Sequence, residues 1–304
     1  MLAAVLGAAA GGGYPQWNSN APGCRRARAG DPLTLPRTQA SLAVSADGES
    51  WILLNASPDL RQQIEQTPAL HPRSGLRSSP IVAVALTGGD VDAIAGLLTL
   101  RERHPFTIYA TARLHAVLRA NPIFGVLAPD VVTRKVVALD DPVTISSPGG
   151  AALDITFFAV PGKTPLYLER AGEVPPMVLG EDTVGVEVTG GGRRLCFVPG
   201  CAAMTPELAR RLDGADAVFF DGTLWRDDEM ILAGLGEKTG RRMGHMSVSG
   251  PDGAMAAFEG LNIGRKVFIH INNSNPILIG DSAERAAVTA GGWEVAHDGM
   301  EVSL

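Results

Sequence analysis

The chain has 304 residues, of which 45% are hydrophobic and 19% charged, and its formal net charge is −6. This length can bury a sizeable core, and the acidic balance argues against a nucleic-acid partner, since phosphates require clustered Lys and Arg. No run approaches the ~20 apolar residues of a membrane helix, so we expect no membrane partner. Cys24, Cys196 and Cys201 fit no disulfide framework, which favours a reducing, cytoplasmic location.

Apolar runs bounded by turn residues predict strands along both halves of the chain. Asp47-Gly48 is typical of a hairpin turn. Residues 80–87 are a continuous apolar run ending before two glycines, as in a strand buried on both faces, and residues 92–103 then show helical spacing. Further strands are predicted at residues 40–44, 51–55, 106–110, 153–160, 183–189, 195–199, 217–221, 266–271, 293–296 and 300–304, helices at 112–120, 206–212, 253–260 and 281–290, and loops at 143–152 and 171–180.

The order of these elements predicts the fold class. Strand-rich halves interleaved with helices suit two sheets packed face to face with helices outside. No low-complexity linker divides the chain. We therefore predict an α/β fold, a four-layer αββα sandwich, formed by a single domain over residues 1–304.

A glycine-rich segment at residues 11–18, Gly-Gly-Gly-Tyr-Pro-Gln-Trp-Asn, follows the first apolar run. It has neither the Lys-Ser/Thr ending of a P-loop nor the GxGxxG spacing of a dinucleotide site. The residues alone favour a close-packed turn in which backbones approach without intervening side chains.

Seven sequence blocks together resemble one known family. They are residues 11–18, 55–63, 87–102, 199–201, 220–223, 243–245 and 270–276. In this order they are similar to the pyrroloquinoline quinone (PQQ) biosynthesis protein B family of the metallo-β-lactamase superfamily. The resemblance runs nearly end to end and implies the same sandwich fold.

The superfamily usually binds two metals through a Thr-His-x-His-x-Asp-His turn. Residues 87–93 of this chain read Thr-Gly-Gly-Asp-Val-Asp-Ala instead. Gly88, Asp90 and Ala93 stand where the superfamily has histidines, and Asp92 keeps the superfamily aspartate. Two-metal hydrolysis needs a full ligand set around a bridging hydroxide, so this turn argues against a two-metal hydrolase.

The remaining ligand positions are also altered. Lys163 stands in the place of the histidine of a Pro-Gly-His turn, and Cys201 in the place of the bridging aspartate. His270 matches the closing histidine. The resemblance thus implies one ion held by Asp92 and His270, with Asp90, Asp221 or Cys201 adding to them.

For function, the resemblance implies iron(II)- and oxygen-dependent hydroxylation of the tyrosine ring in the excised, cross-linked Glu–Tyr precursor of PQQ. Ala93 is expected to weaken iron binding relative to family members with a histidine there. Cys24 alone remains of a family cysteine cluster, and one thiolate cannot build a structural zinc site, so no structural zinc is expected. The alternative is a metal-free carrier of PQQ or its precursor, involved in transport toward the periplasm.

Other residues receive roles by position in these blocks. His245 resembles a proton donor of related hydrolases, and Asp221 ends an apolar strand, where a carboxylate is costly unless it is used or paired. Lys163, Arg241 and Arg242 are the cations predicted to bind the carboxylates of the small-molecule precursor or PQQ. The alternatives are helix capping by Asp90 and Asp92, a core histidine at 245 and a merely buried Cys201. The sequence leaves a homo-oligomer open.

Overall fold

The computed structural model describes residues 1–165, 168 and 178–304, and its strands form two seven-stranded sheets. In chain order the strands are β1 Leu2–Gly7, β2 Ser41–Ser45, β3 Trp51–Leu54, β4 Ile81–Ala85, β5 Phe106–Ala110, β6 Val132–Val136, β7 Val143–Ser146, β8 Ala152–Gly162, β9 Val178–Gly190, β10 Arg193–Val198, β11 Ala217–Asp221, β12 Arg265–Ile269, β13 Trp293–Val295 and β14 Glu301–Ser303. The first sheet runs β14-β1-β2-β3-β4-β5-β6 and the second β13-β12-β11-β10-β9-β8-β7.

Short helices cover the outer face of each sheet. The α-helices are α1 Pro22–Arg28, α2 Leu60–Gln66, α3 Val91–Ile94, α4 Ala112–Ala120, α5 Pro206–Leu212, α6 Glu229–Leu232, α7 Gly240–Met243, α8 Ala254–Ala257 and α9 Ala283–Ala290, and 3-10 turns lie at Pro68–Leu70, Ala95–Leu100, Pro122–Val126 and Pro276–Leu278. Several begin with a side-chain cap: the hydroxyls of Thr111, Thr205 and Ser282 accept backbone N–H groups of α4, α5 and α9.

Three apolar clusters define the layers. The central cluster combines inward residues of both sheets, such as Leu42 and Ile52 from the first and Phe197 and Phe219 from the second. A second cluster packs the outer face of the second sheet against α5, α8 and α9, and a third packs the outer face of the first sheet against α2, α3 and α4. The predicted four-layer αββα sandwich is therefore confirmed.

Two predicted elements differ from the structure for a physical reason. The helix predicted at residues 92–103 is one α-turn, α3, continued as the 3-10 segment Ala95–Leu100. The backbone N–H of Gly96 donates to the carbonyl of Ala56 at 2.8 Å, so a contact to a distant segment replaces the helical bond. The predicted loop at 143–152 contains β7, because residues 143–146 pair antiparallel with β8. Of the predicted loop at 171–180, residues 171–177 lie outside the described residues.

The sheet topology sets where polar side chains converge. Strands β11 and β12 are parallel and adjacent, so Asp221 and the residue after Ile269 lie at the same edge. The turn that follows β4 reaches this edge from the other sheet, where Gly88 forms a bridge to Thr183. Within the described residues, no helix is long and apolar enough to cross a membrane.

Gly96 is expected to be required by packing. A Cβ at this position would overlap the carbonyl oxygen of Ser57 and lie 2.8 Å from that of Ala56, and both are backbone atoms that cannot move aside. We predict that Gly96→Ala lowers the free energy of unfolding by about 1–3 kcal/mol, measured by chemical denaturation.

Gly125→Ala is the matched control, because a Cβ at Gly125 meets no atom within 4 Å. Its stability should stay within about 1 kcal/mol of the wild type. Equal stability of the two variants would show that the close approach at Gly96 relaxes without cost.

Candidate functional site

One cavity of about 660 Å³ opens where the polar strand ends meet. Asp90, Asp92, His245 and His270 line it together, which brings together four of the residues predicted from the sequence. The glycine-rich segment forms part of its rim: Gly12 and Gly13 have φ angles of 92° and 70°, and Gly11 and Gly12 line the cavity. A Cβ on Gly11 would lie 3.7 Å from Oδ2 of Asp92, so the backbone approaches that carboxylate closely.

His270 holds an unusual backbone conformation. It follows β12 with a φ of 57°, a left-handed value that costs energy for a side chain other than glycine. A contact with Thr223 fixes this segment in place: the backbone N–H of Asn272 donates to the Thr223 carbonyl at 3.0 Å. The strained backbone directs the imidazole into the cavity.

An ion pair between Asp92 and His270 joins the two sheets at the site. Nε2 of His270 lies 2.8 Å from Oδ2 of Asp92. Burial would raise the pKa of Asp92, but the hydrogen bond and charge of His270 outweigh it and hold that pKa below its usual value. Burial likewise opposes the charged form of His270, but Asp92 outweighs it and raises the imidazole pKa.

Asp90 and Asp92 do not serve as helix caps. Asp90 is the N-cap residue of α3, but its side chain accepts no capping hydrogen bond, and Asp92 is engaged with His270. Both carboxylates line the cavity instead. The placement agrees with the metal-site interpretation rather than with the capping alternative.

Asp221 lies behind the cavity wall and is fully buried. Oδ2 accepts the backbone N–H of Cys201 at 2.8 Å and lies 2.7 Å from Nδ1 of His245. Oδ1 accepts the backbone N–H of Thr223 at 3.0 Å and its hydroxyl at 2.6 Å. With both oxygens satisfied by protein donors, Asp221 acts on the cavity through His245 and Thr223.

Three of the predicted site residues lie elsewhere. The Cys201 thiol donates to the Ala203 carbonyl at 3.2 Å, and burial, followed by the charge of Asp221, raises its pKa, so it is a neutral thiol off the cavity wall. Arg241 is 64% exposed, lies 3.6 Å from Asp252 and lines a separate cleft. Arg242 is also not among the described residues that line the cavity.

Of the predicted cations, Lys163 does line the cavity, and Lys238 joins it. A Cβ on Gly244 would lie 3.0 Å from Cγ of Lys163, so this glycine provides the space along which the lysine stem lies. Sequence reasoning did not select Lys238 or Thr223. Thr223 belongs to the block at residues 220–223, which was a usable signal, whereas Lys238 lies outside every block.

The polar side chains suit a divalent metal ion. Among the described residues, one group has the ligand spacing of a metal site: Asp221, His245 and His270 each offer an atom within 4.8 Å of the others. Since both oxygens of Asp221 already accept hydrogen bonds, Asp92 and Asp90 are the carboxylates that face the cavity beside the two imidazoles. Imidazole and carboxylate donors with open positions match catalytic zinc sites.

Comparison with known proteins identifies relatives over the whole chain. The β-lactamase superfamily domain matches residues 50–271. Coenzyme PQQ synthesis protein B of Gluconacetobacter diazotrophicus is 60% identical over 301 residues, 98% of each chain. The crystal structure of Zn(2+)-bound PqqB from Methylobacterium extorquens matches with a TM-score of 0.96 and 54% identity over 100% of both chains. A diphosphatase of the PhnP family shares the fold alone, with a TM-score of 0.68 and 19% identity over 99% of this chain and 96% of that one.

The Zn(2+)-bound relative corrects one expectation. The prediction of iron(II) with no structural zinc is wrong as a statement of the cofactor, because a relative with 54% identity is zinc-bound. The physical reason lies in the donors: imidazole and carboxylate bind several divalent metals, and zinc outranks iron(II) in general affinity. The absence of a histidine at position 93 therefore gives the site no preference for iron(II) over zinc.

Glu229 is connected to the cavity wall by a chain of hydrogen bonds. It is 8% exposed, and its Oε2 accepts the backbone N–H of Trp225 at 2.6 Å. Oε1 accepts the hydroxyl of Ser274, which in turn accepts Nδ2–H of Asn272, a residue of the cavity wall. Burial raises the pKa of Glu229 to about 7.

This raised pKa predicts a pH-dependent stability. The folded protein keeps the Glu229 proton up to about pH 7, whereas the unfolded chain releases it near pH 4.5. The stability that this protonated carboxyl contributes is therefore complete below pH 4.5 and is lost as pH rises through 7. Glu229→Gln removes the titration. The variant should gain stability relative to the wild type between pH 5 and 8, by up to about 3 kcal/mol in denaturation experiments.

The exposed Glu259→Gln provides the control and should give a stability curve parallel to the wild type across this range. A Glu229→Gln curve that is also parallel would contradict the raised pKa.

Proposed function

The chain belongs to the coenzyme PQQ synthesis protein B family of the β-lactamase superfamily, and on that premise we propose that its cavity binds a precursor of PQQ and hydroxylates its tyrosine ring. The observation that carries the proposal is the composition of the cavity. Two imidazoles and two carboxylates line it together with Lys163, Lys238, Met230 and Met243. Its volume of about 660 Å³ is in the range of small-molecule sites.

The precursor, a cross-linked glutamate and tyrosine, has several carboxylates and one aromatic ring. Lys163 and Lys238 are the cations on the cavity wall, and we assign carboxylate binding to them in place of Arg241 and Arg242. The side chains of Met230 and Met243 offer polarizable apolar contacts for the ring. Binding of the charged groups would thus orient the ring within the cavity.

His245 is the proposed proton carrier. Its Nδ1 lies 2.7 Å from the buried Asp221, which fixes Nδ1 as the N–H and leaves Nε2 as the basic nitrogen. With dioxygen as the oxidant and an external two-electron reductant, one oxygen atom enters the ring and the other leaves as water. The ring carbon then loses its proton, and Nε2 of His245 is placed to take it.

We further propose that His270, Asp92 and Asp90 hold one divalent metal ion, while Nε2 of His245 remains available to the proton. When bound, such an ion supplies an electrophilic centre with open positions for substrate oxygens. The chain's own contribution is to hold the two imidazoles in the cavity. Gly88 and Ala93 also line the cavity, but their side chains offer no metal-ligand atom. The same two residues favour the second candidate, a carrier that binds PQQ or its precursor without converting it.

Metal binding is tested with Zn²⁺ as the probe. Metal-free wild-type protein should bind one Zn²⁺ per chain in a chelator-competition titration. His270→Gln and Asp92→Asn should each weaken binding by at least about 10–100-fold, because each removes a donor from the cavity.

His297→Gln is the matched control, since His297 is exposed and its Nδ1 contacts the Asp298 carbonyl. Its zinc affinity should equal that of the wild type. Equal affinities in all four proteins would place bound zinc elsewhere and refute the proposed site.

Substrate binding and turnover are tested with the cross-linked Glu–Tyr precursor. Supplied with dioxygen and a two-electron reductant, wild-type protein should convert it to a product heavier by one oxygen atom, detected by mass spectrometry. Lys163→Gln and Lys238→Gln should each weaken precursor binding by about tenfold, the effect of one lost charged hydrogen bond, while Arg241→Gln should bind as the wild type does.

The outcomes separate the two candidate functions. Tight binding of precursor or PQQ without any oxygenated product, in zinc-loaded protein and in protein loaded with other divalent metals, would favour the carrier. A large effect of Arg241→Gln with none at Lys163 or Lys238 would move the binding site to the neighbouring cleft.

A further inference from the structure

Thr223 contacts several polar groups of the site at once, and neither the metal-ligand motifs nor the family resemblance assigns it a role. Its side chain is buried at 5% exposure, directly after the turn that ends β11. Oγ1 lies 2.6 Å from Oδ1 of Asp221, 2.9 Å from Nδ1 of His270 and 3.1 Å from Nδ1 of His245. One hydroxyl therefore contacts the buried carboxylate and both imidazoles of the site.

The hydroxyl has only one hydrogen, which limits its bonding. It can donate once and can accept through two lone pairs. The 2.6 Å contact to Asp221 is the shortest and ends on an atom that only accepts, so the hydrogen points there. The contacts with the two imidazoles must then be accepted by Oγ1, which requires an N–H on the imidazole it faces, and the 3.0 Å approach to the His270 carbonyl oxygen is not a hydrogen bond.

From this geometry we propose that Thr223 is a positioning residue for His270. Its Oγ1 accepts Nδ1–H of His270 at 2.9 Å, which fixes the ring orientation and leaves Nε2 directed at Asp92 and the cavity. Metal-binding histidines commonly donate their second ring N–H to a fixed acceptor, and that acceptor sets the nitrogen that binds the metal. In this chain the acceptor is a threonine hydroxyl oriented in turn by Asp221.

The effect is specific to His270. His245 has its own acceptor, Oδ2 of Asp221 at 2.7 Å, so its longer contact with Thr223 is secondary. His270 also depends on Thr223 for its left-handed backbone, because the backbone N–H of Asn272, two residues further on, donates to the Thr223 carbonyl at 3.0 Å. Removing the hydroxyl should thus disturb one imidazole and leave the other in place.

The experiment compares Thr223→Val with Thr223→Ser. Valine keeps the branched shape and the backbone bonds but removes the hydroxyl, whereas serine restores it. In metal-free protein labelled with ¹⁵N-histidine, wild type and Thr223→Ser should show an exchange-protected Nδ1–H resonance for His270. Thr223→Val should lose this resonance and retain that of His245, which also reports that the site is folded.

Zinc affinity provides the second readout. Thr223→Val should bind Zn²⁺ about 10–100-fold more weakly than the wild type, and Thr223→Ser should bind with wild-type affinity. This readout rests on the proposed metal site, whereas the imidazole resonances do not. Wild-type protein that binds no zinc would therefore refute the metal site while the resonances still decide the role of Thr223.

A protected His270 Nδ1–H that persists in Thr223→Val would overturn the proposal. If Thr223→Val loses the His245 resonance as well, Thr223→Ala removes the hydroxyl with less steric demand, and the same comparison is made with that variant. Loss of both resonances in Thr223→Ala would also overturn the proposal, because it would show a general structural role.

Discussion

The organisation of the site depends on one buried carboxylate, Asp221. It ends β11 with no exposed surface, where an unsatisfied carboxylate would be strongly unfavourable. Four donors satisfy it, from the Cys201 backbone, the Thr223 backbone and hydroxyl, and the His245 ring. Because these donors come from separate loops, the need to satisfy one carboxylate fixes the position of all of them. Breaking such a buried network typically costs about 3–5 kcal/mol.

The second constraint is the contact between the two sheets. His270 belongs to the edge of the second sheet and Asp92 to α3, which follows the turn after β4 of the first, and their ion pair of 2.8 Å joins the two sheets at the cavity. The turn before α3 is itself held by Asn55, whose side chain accepts the Thr87 backbone N–H at 2.8 Å and donates to the Thr87 hydroxyl at 2.8 Å. The positions of Asp92 and His270 are thus set by packing of the two sheets.

The altered turn at residues 87–93 removes imidazole donors from the cavity without changing the scaffold. Gly88, Ala93 and Lys163 all remain on the cavity wall, at positions where the resemblance places ligands of the superfamily. The donors that remain are imidazoles on one sheet edge and carboxylates on the other. This arrangement suits one ion, and the space left by the smaller side chains is available to a substrate. The two lysines on the cavity wall, Lys163 and Lys238, favour an anionic substrate.

The sequence by itself determined most of the strands but not β6 and β7, together with the layered fold, the family and the cavity residues Asp92 and His270. These follow from local periodicity, from turn residues and from the order of short blocks, all of which are encoded within a few neighbouring residues. Only the tertiary structure decided which side chains share the cavity. Arg241 and Lys238 are close in sequence and similar in charge, yet Lys238 faces the cavity and Arg241 a separate cleft. Cys201 offers its backbone rather than its thiol, and Thr223 becomes the link between Asp221 and His270, because the direction of a loop side chain is set by segments distant in the chain.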